Sequence, residues 1–283
     1  MFEFLKCRGK VTTIEEAKKA YSNCECRKRK EEILSVWVNL YLPVVRKMIE
    51  NGDVKALFDA ILSPSDSGFP PIHSYGTPEG PIGEQIRNNL DKFLSAISTT
   101  DEAMFYHRKF CGTCCKNFYR DPIEKRWDQL SSVEVDVANT RPDIASAVKK
   151  APYNSASFVK GVIKWVNSCQ TVEELAEPSE YLRVNSPTYN SLASAVRTAL
   201  YQRKIDMLFV EVPKVSDVKT IKMYYDFAPE GSAAKIFAFE RWLSLCSTPG
   251  EANEAFAVAP KEAKICQLNA YNKAKDLAAT LQS

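Results

Sequence analysis

Ile33-Leu34-Ser35-Val36-Trp37-Val38-Asn39-Leu40-Tyr41-Leu42-Pro43 is the stretch on which the fold turns. Its apolar residues crowd nearly every side of a helical wheel, which predicts a helix buried at the centre of a core. Pro43 has no backbone N–H to donate and should kink or break that helix. Asn51-Gly52 offers a C-cap just beyond. Upstream, Arg27-Lys28-Arg29-Lys30 forms a run of four cations, and Thr12-Thr13-Ile14-Glu15-Glu16 carries a capping box that opens a first helix.

Downstream of the central helix, Asp53 starts a short helix to Leu62. Residues 63–83 are rich in proline and glycine and are expected to form a long loop or linker. A helical stripe, Ile86, Leu90, Phe93, Leu94 and Ile97, follows. Ser132 to Val137 alternates strictly and suggests a strand. Helices are expected again at 143–150, 155–169, 172–176 and 188–203. The strongest strand pattern is Ile205 to Val212 (IDMLFVEV), followed by Val218 to Phe227 (VKTIKMYYDF). Together they predict a small antiparallel β-hairpin near 205–227. Helices at 233–246, 250–256 and 260–281 close the chain. Ala263, Cys266, Ala270, Ala274 and Leu277 leave a small-residue seam on the last one. The expected architecture is mainly α and bundle-like: an N-terminal helical part over 1–62, the 63–83 linker, and a main helical domain over 84–283.

The chain has 283 residues, 45% of them apolar, enough to fill a core rather than remain disordered. Its net charge is +3 and the charge is evenly spread along the chain, which excludes a strongly basic tail but leaves local patches open. No run reaches the ~18–20 apolar residues of a spanning helix. Nine cysteines without a secretory pattern predict reduced thiols in a cytoplasmic compartment. The P-loop, dinucleotide, nucleophile-elbow and H-E-x-x-H signatures are missing from the sequence, which disfavours the enzymes they mark.

Reactive chemistry concentrates in HRKFCGTCCKNFY, His107 to Tyr119. Cys111-Gly112-Thr113-Cys114 is half of a zinc knuckle, and Cys24 and Cys26 from afar, or His107 and Cys115 locally, are the candidate remaining ligands of a structural zinc site. A cysteine nucleophile is the enzymatic alternative. Arg108, Lys109 and Lys116 would favour its thiolate, with His107 or His73 as base. A metal-dependent nuclease would draw on Glu134, Asp136, Asp206, Glu211 and Lys214, although the Glu211–Lys214 spacing is one residue too long for the usual pattern.

The basic residues make a different case. Arg108, Lys109, Lys116 and Arg120 are interleaved with Phe110, Phe118 and Tyr119, and Arg27, Lys28, Arg29 and Lys30 add a second cluster. Cations neutralise phosphates and aromatic faces stack bases, a mixture suited to single strands.

Lys235-Ile236-Phe237-Ala238-Phe239-Glu240-Arg241-Trp242, then Ala259-Pro260-Lys261-Glu262 and an alanine-rich terminal segment, resembles the tail of flexible filamentous plant-virus coat proteins. The resemblance covers under a fifth of the chain. It implies a helical coat protein that polymerises around single-stranded RNA, and it assigns no binding residues. The expected function is therefore a non-enzymatic, self-associating, nucleocapsid-like protein that engages RNA. A protein-interaction module, effector or adaptor, is the alternative.

Overall fold

The computed structural model describes residues 11–63, 67–71, 80–111, 116–185, 192–260 and 263–280, without the side chains of 111 and 116–118. Fifteen α-helices occupy most of these residues, and no strand occurs among them. In chain order they are α1 (Ile14–Asn23), α2 (Arg27–Asn51), α3 (Val54–Leu62), α4 (Gly80–Asn88), α5 (Leu90–Ala96), α6 (Thr100–Cys111) and α7 (Lys116–Val137). Then follow α8 (Arg141–Lys150), α9 (Ala156–Ser168), α10 (Val172–Asn185), α11 (Ser194–Glu211), α12 (Val218–Phe227), α13 (Ala233–Leu245), α14 (Pro249–Val258) and α15 (Lys264–Thr280). The chain divides into two compact units, Met1–Val133 with Lys150–Pro152 and Glu134–Lys149 with Tyr153–Ser283.

The first unit is built on α2. This helix runs unbroken through Pro43 and ends at Gly52, whose φ of 78° is the left-handed C-cap geometry expected there. It is not buried all round. Only Ile33, Trp37, Tyr41, Val45 and Ile49, spaced four residues apart, are buried, while Val36 is exposed. Pro43 is tolerated because it faces solvent, off the buried stripe. Trp37 Nε1 donates to Gly68 O at 3.1 Å and the Tyr41 ring meets Phe69 edge-on at 5.2 Å, so residues 67–71 are packed onto α2. The sequence-predicted 63–83 loop also ends early, because α4 begins at Gly80.

Phe58 is the hub of this core. The rings of Phe93, Tyr106, Phe110 and Tyr119 lie 5.2, 5.0, 5.5 and 6.1 Å from it. Edge-on and tilted aromatic contacts of this kind add ~0.5–1.5 kcal/mol per pair beyond burial.

The second unit corrects the expected hairpin. Ile205–Val212 continues α11 into a short 3-10 turn, Val212–Lys214, and 218–227 is α12. The β-branched and aromatic run looked strand-like, yet its buried residues fall at helical intervals. On α11 they are Val196, Leu200, Met207 and Leu208; on α12 they are Ile221, Tyr224 and Tyr225. Asp217 caps α12 by accepting from Thr220 N at 2.8 Å. Propensity thus gave way to tertiary burial, the usual outcome where the two conflict. The alternating Ser132–Val137 is likewise the end of α7, where Ser131 and Val135 are buried but Val133 and Val137 are exposed.

The small-residue seam of α15 serves the chain's own packing: Cys266, Ala270 and Ala274 are buried where α15 lies against α14 and α13. The opposite face carries Ile265, Leu268 and Tyr271, each more than half exposed. No helix among the described residues is long and apolar enough to cross a membrane.

Candidate nucleic-acid interface

Arg27, Lys28, Arg29 and Lys30 form the first turn of α2. That turn contains no acidic residue, and its N-cap, Cys26, makes no side-chain capping bond. Cations at a helix N-terminus oppose the macrodipole, at about 0.3–1 kcal/mol each. Two carboxylates one turn later offset part of this: Arg27 Nε lies 3.3 Å from Glu31 Oε1, and Arg29 donates to Glu32 Oε2 at 2.6 Å. Lys28 is exposed and has no carboxylate partner among the described residues. Lys30 Nζ lies 5.4 Å above the Tyr21 ring of α1. Local positive potential therefore survives at this end of α2.

The second cluster divides between α6 and α7. On α6, Ala103, Tyr106 and Phe110 are buried, and Phe105, Arg108 and Lys109 occupy the opposite, exposed face. Phe105 is 49% exposed, with Lys109 Nζ 5.6 Å above its ring. On α7, Arg120 is exposed and reaches Glu124 at 3.8 Å. Arg126 donates to Ile97 O at 3.1 Å and so closes the end of α5. Lys116 opens α7, and its side chain, like that of Phe118, lies outside the described residues.

The expected stacking platforms need correction. Phe110 and Tyr119 are fully buried, 4.5 Å apart between ring centroids, and turn no face to solvent. Their rings complete the cluster around Phe58. Phe105 is the aromatic that sequence reasoning missed. Its signal was present: Phe105, Arg108 and Lys109 stand at i, i+3 and i+4, one face of a helix.

Of the expected zinc ligands Cys111, Cys114, Cys24 and Cys26, only Cys24 and Cys26 have side chains among the described residues. Cys24 is buried at the end of α1 and Cys26 is exposed at the start of α2; the Cys24 thiol points to Cys26 O at 3.6 Å. Cys114 and the Cys111 side chain lie outside the described residues. No group of three or more histidine, cysteine or acidic side chains suited to a metal occurs among those described. His107 Nε2 lies 3.3 Å from Glu124 Oε2 and its ring 5.3 Å from Trp127, so it joins α6 to α7; His73 lies outside the described residues. Burial pushes the Cys169 thiol up to about 11 and raises those of Cys246 and Cys266, which disfavours a reactive thiolate at these three positions; the candidate nucleophiles Cys111 and Cys114 lie outside the described side chains.

The acidic residues of the nuclease reading sit on helices. Asp136 pairs with Lys160, and Glu211 accepts from Val172 N at 3.2 Å. Comparisons with family models, curated proteins and solved structures find no match for this chain. Its functional reading rests on its own residues.

Proposed function

We propose that this chain is a non-enzymatic, self-associating RNA-binding protein whose phosphate contacts come from the start of α2 and the outer face of α6. The observation that carries this reading is the exposed triad Phe105, Arg108 and Lys109. It joins one unburied aromatic to two cations without carboxylate partners among the described residues. Lys28 and its neighbours and Arg120 add exposed cations, Lys116 belongs to the same sequence cluster with its side chain outside the described residues, and Phe105 replaces Phe110 and Tyr119 as the stacking ring. Each phosphate neutralised on a single strand contributes about −0.7 to the slope of log affinity against log salt. Fluorescence anisotropy of a labelled single-stranded RNA, titrated at several salt concentrations, tests this directly. Replacing Lys28, Arg108 and Lys109 by Glu is expected to flatten the slope by about 2. An unchanged slope and affinity would end the proposal.

A second reading, a protein-interaction module, draws on a separate observation. All exposed large apolar side chains among the described residues, except Val36, Phe105 and Val133, belong to the second unit. An exposed apolar surface suits protein contacts. Such a module retains no nucleic acid on purification at low salt, whereas an RNA-packaging chain elutes as a large, nuclease-sensitive species.

A further inference from the structure

A groove of about 380 Å³ runs between α1 and α2. Tyr21, Glu25, Arg27, Lys30, Glu31 and Leu34 line it. The volume falls within the range of small-ligand sites. Its wall combines an aromatic ring, an aliphatic side chain, two cations and two carboxylates.

Each group has a distinct chemical capacity. The Tyr21 ring rests edge-on against Trp37, with centroids 5.8 Å apart, which fixes one side of it in the core. Lys30 Nζ lies over the ring as a flexible cap. Stacking of a base on an aromatic ring is stronger than an exposed cation–π contact, so an incoming base displaces that ammonium. The released Lys30 and the Arg27 guanidinium, held beside Glu31, then supply charge for a phosphate. Glu25 lies between α1 and α2, exposed and with no cationic partner among the described residues. An ionised carboxylate only accepts hydrogen bonds. It therefore favours a base edge bearing an exocyclic amino group, such as cytosine N4, over uracil, whose single N3–H donor is flanked by the two acceptors O2 and O4.

We infer that the α1–α2 groove is a subsite for one nucleotide of single-stranded RNA, stacking its base on Tyr21 and selecting amino-bearing bases over uracil through Glu25. This inference rests on the RNA-binding reading and adds base preference to it. Arg27 and Lys30 at the start of α2 serve both readings, whereas Phe105, Arg108 and Lys109 belong to α6, outside this groove, so loss of base preference alone is distinguishable from loss of RNA binding.

The test is anisotropy with labelled oligo(C) and oligo(U) of equal length, on the full chain, with the salt slope measured for both. The wild type is expected to prefer oligo(C) by about 5- to 100-fold, the range set by one well-made base contact. Glu25→Gln gains an amide donor for uracil O4 and is expected to erase most of that preference with an unchanged thermal melt. Tyr21→Leu, folded by circular dichroism, is expected to weaken both oligomers about 5- to 100-fold through lost stacking. Salt-dependent binding to both oligomers with no base preference, or a preference untouched by either variant, overturns the subsite alone. Absence of RNA binding altogether overturns the parent reading and the subsite with it.

Discussion

The Tyr224 hydroxyl donates to Glu211 Oε2 at 2.6 Å, while the other oxygen of that carboxylate accepts from Val172 N at 3.2 Å. One side chain thereby fastens the end of α11 to α12 and to the start of α10. Glu173 Oε1 lies 3.1 Å from the same hydroxyl. A phenol has one proton, so it serves one carboxylate at a time. Tyr224→Phe is expected to destabilise the protein by about 1–2 kcal/mol, since the half-buried Glu211 loses this bond but keeps the one from Val172 N. Urea unfolding followed by circular dichroism measures it.

Burial first, then Glu211 and Glu173, raises the Tyr224 pKa; burial, then Asp59 and Glu102, pushes Tyr106 up to about 12. Both folded pKa values exceed the ordinary 10.0 of a tyrosine. The folded state therefore holds these protons more tightly. Their stabilisation is complete below pH 10 and is lost as pH rises through the folded values. Stability is expected to fall between about pH 10 and 12, and less steeply in Tyr106→Phe. An equally steep alkaline fall in that variant would remove Tyr106 as a cause.

Glu102 works in the opposite direction. Hydrogen bonds from Lys55 and from Ser98 N hold its carboxyl down at about 2. Its stabilisation is present above the ordinary 4.5 and is lost as pH falls toward 2. The side chain is about a third exposed, so solvent screening limits the effect to under ~1 kcal/mol. Glu102→Gln should flatten thermal stability between pH 4.5 and 2.

Gly161 lies on α9 where a Cβ would stand 2.8 Å from Val148 Cγ2 and 3.0 Å from Val135 Cγ2. Both valines are fully buried, and β-branching leaves them little room to rotate away. Gly161→Ala gains up to about 1 kcal/mol of helix propensity but incurs about 1–3 kcal/mol of overpacking. Net destabilisation is expected, and a larger loss for Gly161→Val. Thermal melts of the two variants rank them.

The two aromatic classes on α6 should separate by phenotype. Phe110→Ala opens a cavity beside Phe58 and is expected to cost about 3–5 kcal/mol. Phe105→Ala removes an exposed ring and should alter stability by less than about 0.5 kcal/mol. Under the proposed function it weakens RNA binding instead. Parallel melting and anisotropy measurements decide between these roles.

The exposed face of α15 tests self-association. Ile265→Glu with Leu268→Glu places charges on the side opposite the Cys266, Ala270 and Ala274 packing. The fold should be retained, and sedimentation velocity should show smaller species than the wild type. Identical sedimentation would exclude this face from assembly.

The predominance of helix was legible from sequence because helix signals are local. The Thr13–Glu16 capping box and the Gly52 C-cap are both formed as read. The basic run at Arg27 to Lys30 was also visible, although its position on the first turn of α2 required the structure. Residues 205–227 were misread because Val, Ile, Tyr and Phe favour strands in isolation, whereas burial along α11 and α12 selects helical spacing. The stacking residues were misassigned for a related reason: composition reveals that aromatics lie near cations but not which way they point. Packing around Phe58 takes Phe110 and Tyr119 inward and leaves Phe105 outside. Sequence by itself determined the predominance of helix, the caps at Thr13 and Gly52 and the charges the helices carry. Only the tertiary structure decided which face of each helix is buried, because burial is a property of distant partners brought together.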